Sequence, residues 1–268
     1  MTHLAAAIQM TTTNDKAANL EKAENLIRLA AARGARLIAL PEVFNWRGKR
    51  QLEPTAAEPL EGPTLTLMAG LARELEIHLL AGSITEHIAG DSHRYNTSAL
   101  FGPDGSRLAI YRKIHLFDVD LPGRVTVKES EVKRPGEEVV TATTALGKIG
   151  LSICYDLRFP ELYRRLAFAG ARILMVPSAF TFPTGEAHWH TLIRARAIEN
   201  QCFVIAPAQF GPNPHGFNDY GNSMIVDPWG RVLAAAPEQE CVIVAPLDLD
   251  YLEKVRRELP ALAHARLK

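Results

Sequence analysis

Short apolar runs bounded by turn residues alternate with stretches of helical periodicity along this chain, and several runs are joined in pairs by tight turns. These observations predict an α/β protein with a mixed sheet, or with two sheets packed together and helices outside. A chain of 268 residues with 47% hydrophobic residues can bury a large core. No Pro/Gly/Ser-rich linker, charge block or low-complexity tract divides it, so residues 1–268 are expected to form a single domain.

The elements follow in order. Residues 4–10 (LAAAIQM) read as a strand, and Asn14 is the predicted cap of a helix whose Leu20, Ala23, Ile27 and Ala30 recur at helical spacing until Gly34. The run 36–40 (RLIAL) is cut by Pro41, so Glu42 falls just past the end of a strand. A helix is predicted over 64–76, then a strand over 77–84 (IHLLAGSI). Two strands flank the turn GPDG at 102–105, and the second ends at Lys113. Residues 114–137, with Pro122, Gly123, Pro135 and Gly136, read as a long polar loop of the kind that tends to carry function. The strand 148–154 (KIGLSIC) runs into Cys154, and a helix follows with Pro160 in its first turn and Gly170 at its end. The strand RILMVPS, the helix AHWHTLIRARAIEN and strands at 202–209, 219–227, 231–236 and 240–247 come next. DPWG at 227–230 makes a hairpin, and Asp248 caps a last helix.

Thirty basic residues balance thirty acidic ones, so the excess positive charge of a nucleic-acid binder is missing. No stretch approaches the roughly 18 apolar residues of a membrane span, and the N-terminus lacks a secretory pattern, so a cytoplasmic protein with a small-molecule partner is expected. Three widely spaced cysteines fit neither a disulfide framework nor a zinc cluster. His188 and His190, two apart on a helix, project about 200° apart and cannot chelate one metal from one face. The Asn96-Thr97-Ser98 sequon reads as an ordinary strand or loop segment.

Glu42, Lys113 and Cys154 each fall at the C-terminal end of a predicted strand, where ligand sites of α/β sheets collect. Cys154, in a strand-to-helix connection, has free backbone N–H groups beside it, a setting that lowers a thiol's pKa and offers donors to an oxyanion. A small buried hydrophobe is the bland alternative, and it suffices for Cys202 and Cys241 inside apolar strands. A thiol nucleophile needs a base, and Glu42, a partly desolvated carboxylate, suits that role, with His115 and His188 as alternatives. Lys113 brings a positive charge for an oxyanion. Taken singly, each charge could be merely solvated.

Taken together, LPEVFNW, YRKIHLFD and ICYDLRFPELYR resemble the three signature segments of the nitrilase superfamily of carbon–nitrogen hydrolases, and the resemblance extends over nearly the whole chain. The segments KIHLFDVDLPG, SICYDLRFPELYRRLAFAGARILMVPSAF, AHWHTLIRARAIENQCFV and MIVDPWG look closest to its Nit branch, whose members hydrolyse deaminated glutathione or 2-oxo-acid ω-amides. The resemblance implies a four-layer α-β-β-α sandwich that forms homodimers or higher homo-oligomers. It makes Glu42 the general base, Lys113 the stabiliser of the tetrahedral intermediate and Cys154 the nucleophile. It also makes Glu129 the counterpart of a second glutamate in the loop after the lysine, chosen from Glu129, Glu131, Glu137 and Glu138. It implies that the Tyr155 N–H shares the oxyanion, that Arg158, Phe180 and Thr184 hold a 2-oxo acid, and that no metal or organic cofactor takes part. The branch pattern AHWE is replaced by AHWH here, so His190 stands where an acid is expected and could alter the pocket.

The function implied is a cysteine-dependent amidase acting through a thioester on a small 2-oxo-acid amide, deaminated glutathione first. An ω-amidase of 2-oxoglutaramate, an N-carbamoyl amide hydrolase and a non-catalytic interaction protein on the same fold are the alternatives.

Overall fold

The structure, a computed structural model, describes residues 2–122, 125–214 and 216–267. The first half carries β1 (Thr2–Gln9), α1 (Lys16–Ala32), β2 (Leu37–Ala39), α2 (Glu53–Ala56), α3 (Pro63–Glu74), β3 (His78–Leu80), β4 (Ile84–His87), β5 (Arg94–Phe101), β6 (Arg107–Arg112), β7 (Asp118–Leu121) and β8 (Val125–Lys128). The second carries β9 (Thr141–Thr144), β10 (Gly147–Leu151), α4 (Pro160–Phe168), β11 (Ile173–Met175), α5 (Phe182–Asn200), β12 (Phe203–Ala206), β13 (Phe210–Pro212), β14 (Asn218–Tyr220), β15 (Met224–Val226), β16 (Val232–Ala235), β17 (Cys241–Asp248), α6 (Leu249–Glu258) and α7 (Ala261–His264).

Two mixed sheets result. In the first, β17, β1, β2 and β3 lie side by side, and β5 pairs with β3 and β4 along one edge and with β6 along the other. In the second the order is β16-β15-β12-β11-β10-β9. Alternate residues along the first sheet explain the layering, because successive side chains of a strand point to opposite faces. Ala5, Ala7, Leu37, Ala39, Leu80 and Leu100 join the second sheet in one core. Ala6, Ile8, Ile38, Leu79, Ala99 and Phe101 join Ala23, Ile27 and Met68 of α1 and α3 in another. Leu162 and Leu166 of α4 and Trp189 and Ile193 of α5 cover the second sheet. The layers therefore run helix, sheet, sheet, helix, as the α/β sandwich requires.

Most predicted elements form, with informative differences. The cap of α1 is Asp15, not Asn14; its carboxylate accepts from the Ala18 N–H. The run 77–84 is two strands, because the backbone bends at Gly82 (φ +34), whose Cβ position would lie 2.0 Å from the Pro41 carbonyl oxygen. The run 219–227 is also divided, into β14 and β15, with Asn222 at φ 56 between them. The polar loop 114–137 contains the β7–β8 hairpin and a 3-10 turn Glu129–Glu131; Gly123, counted in that loop, lies outside the described residues. The polar β9 (TATT), which has no apolar run to mark it, pairs with β10 as an additional strand. The hairpin at DPWG forms around Asp227, whose carboxylate accepts from the Trp229 and Arg231 N–H groups, and Asp248 caps α6. No helix among the described residues is long and apolar enough to cross a membrane.

Candidate active site

Three strand ends converge. The chain leaves β2 through Leu40 and Pro41 and turns at Val43 (φ 49), whose N–H donates to Ser83 Oγ (2.9 Å), which puts Glu42 at the mouth of the first sheet. Lys113 follows β6 directly, and its N–H donates to the Asn96 carbonyl of β5 (2.9 Å). Cys154 comes from the second sheet, past the end of β10, and opens a 3-10 helix (Cys154–Arg158) with φ 48. All three are buried, at 5%, 2% and 7% exposure.

Their polar atoms meet. Lys113 Nζ donates to Glu42 Oε1 (3.0 Å) and to Glu129 Oε2 (2.9 Å). Asn96 Nδ2 donates to Glu42 Oε1 (2.8 Å) and to Glu129 Oε1 (3.3 Å). The Phe117 N–H donates to Glu129 Oε2 (2.8 Å). Of the four candidate glutamates after the lysine, Glu129 is the one bonded to Lys113; Glu131, Glu137 and Glu138 are exposed.

Burial opposes the charge on Lys113, but Glu129, Glu42 and Cys154 outweigh it and hold the ammonium well above its ordinary range. Burial likewise disfavours ionised Glu129, yet Lys113 and the Phe117 N–H dominate and hold its carboxyl below the usual value. The thiol departs from the expectation of a lowered pKa. Burial and then the Glu42 carboxylate push Cys154 well up, and Lys113 and the Ala179 N–H only partly counter them. Beside a carboxylate at a buried position, the negative neighbour and the lost hydration overrule the turn's N–H groups.

These groups line a cavity of about 640 Å³, which Tyr155, Arg158, Phe180 and Thr184 also line. The Arg158 guanidinium lies 5.3 Å from the Phe180 ring centre and 5.7 Å from that of Tyr155, and Nη1 is 3.2 Å from His188 Nδ1. No carboxylate pairs with Arg158 among the described residues, so its charge is not taken up in a salt bridge there. Thr184 Oγ1 bonds Thr181 Oγ1 (2.9 Å). His190 is exposed, sits edge-on to Tyr220 at 6.4 Å and is not among the residues that line the cavity. His115 lies outside the lining, its Nδ1 engaged with Asp156 (2.7 Å). His215 is outside the described residues.

Sequence reasoning missed Asn96, which bonds both glutamates, and Ala179, whose N–H faces the thiol. The only signal for Asn96 was its place in the Asn-Thr-Ser triplet; it is a buried residue of β5. Among the described residues, no three His, Cys, Asp or Glu side chains are grouped as a metal site needs.

A thiol, a carboxylate in contact with it, and an ammonium braced by a second carboxylate are the parts needed to attack a carbonyl-type carbon and hold the resulting oxyanion. The family model described as carbon-nitrogen hydrolase matches residues 4–257, and the chain belongs to that family of enzymes. Within it, the likeness falls in the Nit branch. A deaminated glutathione amidase of Synechocystis sp. is 43% identical over 98% of this chain and 97% of its own length. The omega-amidase NIT2 of Mus musculus is 41% identical over 97% of this chain and 94% of its own. The crystal structure of the C. elegans NitFhit protein superposes with a TM-score of 0.91 at 40% identity over 99% of this chain; the chain spans 65% of that longer protein.

Proposed function

We propose that the chain is a cysteine-dependent amidase that hydrolyses the amide bond of a small 2-oxo-acid amide through a thioester, with deaminated glutathione as the foremost substrate and residues 1–268 acting as one catalytic unit. The observation that carries this reading is the meeting of Cys154, Glu42 and Lys113 in one cavity whose wall holds Arg158, which has no carboxylate partner among the described residues. Such a guanidinium donates bidentately to a carboxylate, which fits the acid end of the acyl group. Phe180, Tyr155 and Thr184 line the same wall.

In the proposed reaction Glu42 takes the thiol proton and Cys154 Sγ attacks the amide carbon. The oxyanion is held by Lys113 and by the Tyr155 N–H, which lies in the first turn of the 3-10 helix, where N–H groups lack intrahelical partners. Glu42 returns the proton to the leaving amine. It then activates a water that hydrolyses the thioester. Glu129 keeps Lys113 charged and in place. An ω-amidase of 2-oxoglutaramate is the second reading, favoured by the likeness to the mouse relative, and it uses the same acyl site with ammonia as leaving group. The cavity is within the span, about 300–1,000 Å³, that encloses drug-sized ligands, which favours the bulkier amide.

Mass spectrometry after brief exposure to deaminated glutathione and to 2-oxoglutaramate tests this. A 2-oxoglutaryl adduct on Cys154, with faster release of Cys-Gly than of ammonia, is the expected result. Turnover without any adduct, unaffected by Cys154→Ala, sinks the thiol mechanism.

A further inference from the structure

Behind the nucleophile turn lies a buried carboxylate that touches no atom of the proposed reaction. Asp156 is fully enclosed, in the 3-10 turn that Cys154 opens. Its Oδ2 accepts from the Ile153 N–H (2.8 Å) and from the Tyr111 hydroxyl (2.6 Å). Its Oδ1 accepts from the His115 N–H (3.0 Å) and faces His115 Nδ1 (2.7 Å). The Tyr111 oxygen in turn accepts from the Ile114 N–H (3.4 Å). One carboxylate thus grips the amide just before Cys154 and, directly or through Tyr111, both amides that follow Lys113.

We propose that Asp156 is a positioning residue that fixes the Cys154 turn of the second sheet against the Lys113 strand end of the first, so that the two reach the same carbonyl. This rests on the reading of Cys154 and Lys113 given above. The chemistry of the site demands a carboxylate. Four donors converge on two oxygens, and a carboxylate offers acceptors only. In Asp156→Asn the amide nitrogen must replace one oxygen. On one side it meets the Ile153 N–H, on the other the His115 N–H, so either orientation opposes two donors in a dry place, and one strand end must shift. A shift of about 1 Å at a reacting group costs on the order of a hundredfold in rate.

Steady-state kinetics on the small amide that the wild type turns over fastest, and the rate of Cys154 alkylation by iodoacetamide, are compared for the wild type, Asp156→Asn, Tyr111→Phe and Cys154→Ala, with folding checked by circular dichroism. Asp156→Asn is expected to lower kcat roughly tenfold or more with KM within about threefold, and to slow alkylation. Tyr111→Phe, which loses the hydroxyl's bonds to Asp156 and to the Ile114 N–H but keeps the carboxylate and its bonds to Ile153 and His115, is expected to lose less. A folded Asp156→Asn with wild-type kcat and alkylation overturns the proposal. Should that variant not fold, Tyr111→Phe decides: a kcat loss of about threefold or more at constant KM supports the proposal, and unchanged kcat and alkylation overturn it. Activity remaining in Cys154→Ala would instead defeat the nucleophile assignment. An inactive Cys154→Ala beside a fully active Asp156→Asn defeats the positioning role alone.

Discussion

Cys154 rests as a neutral thiol, because burial and the adjacent Glu42 push its pKa well above the ordinary 9.0. A nucleophile stored as thiolate has no need of a base, whereas this one must be deprotonated at the moment of attack. Glu42→Gln keeps the size of the side chain and removes the proton acceptor. It is expected to lower kcat on the order of 10²–10⁴-fold with little change in KM, measured by steady-state kinetics. A loss of only a few-fold would free Glu42 of the base role. At this scale Glu42, Lys113 and Cys154 were legible because each follows an apolar run directly, so a strand end could be assigned without knowing any partner. Asn96 and Asp156 were not legible, since their partners come from segments 54 and 41 residues away and no local pattern marks the face they use.

At the scale of elements, the link between β3 and β4 braces the end of β2. Gly82 packs its backbone against the Pro41 carbonyl and Ser83 receives the Val43 N–H, so Glu42 is clasped from behind by a neighbouring connection. Gly82→Ala puts a methyl where the Pro41 oxygen sits and imposes the left-handed φ on a residue with a Cβ. It is expected to cost about 1–3 kcal/mol of stability, read as a lower urea midpoint at unchanged slope. An unchanged midpoint contradicts the close packing. The apolar run 77–84 hid this bend because hydrophobicity continues through it. The β7–β8 hairpin went unread for the opposite reason. Its strands, DVDL and VTVK, alternate polar and apolar residues as half-exposed strands do, but are too short and polar to stand out from a loop.

The two-sheet arrangement was legible as a class but not in its pairing, because strands buried on both faces carry no register signal. The pairing of β1 with β17 joins residues at opposite ends of the chain, Thr2 beside Asp248, and nothing local announces it. Ionisation also acts on the whole molecule. Glu129 has a folded pKa below its ordinary 4.5, so its charge contributes stability above that pH, and the contribution is lost as pH falls through the depressed value. In Glu129→Gln the melting temperature is therefore expected to fall less steeply than in the wild type below about pH 5. Parallel melting curves in that range would show that Glu129 gains nothing from its partners.

Glu42 and Lys113 belong to one sheet and Cys154 to the other, and the face between the sheets mixes small side chains, Ala5, Ala7, Ala39 and Ala245, with larger ones, Leu37, Leu80 and Leu100. The separation of proton acceptor and sulfur thus depends on a seam in which alanine methyl groups let the two sheets approach. A bulkier residue anywhere along that seam acts as a shim, and its effect is read at the thiol although it lies far from any reacting atom.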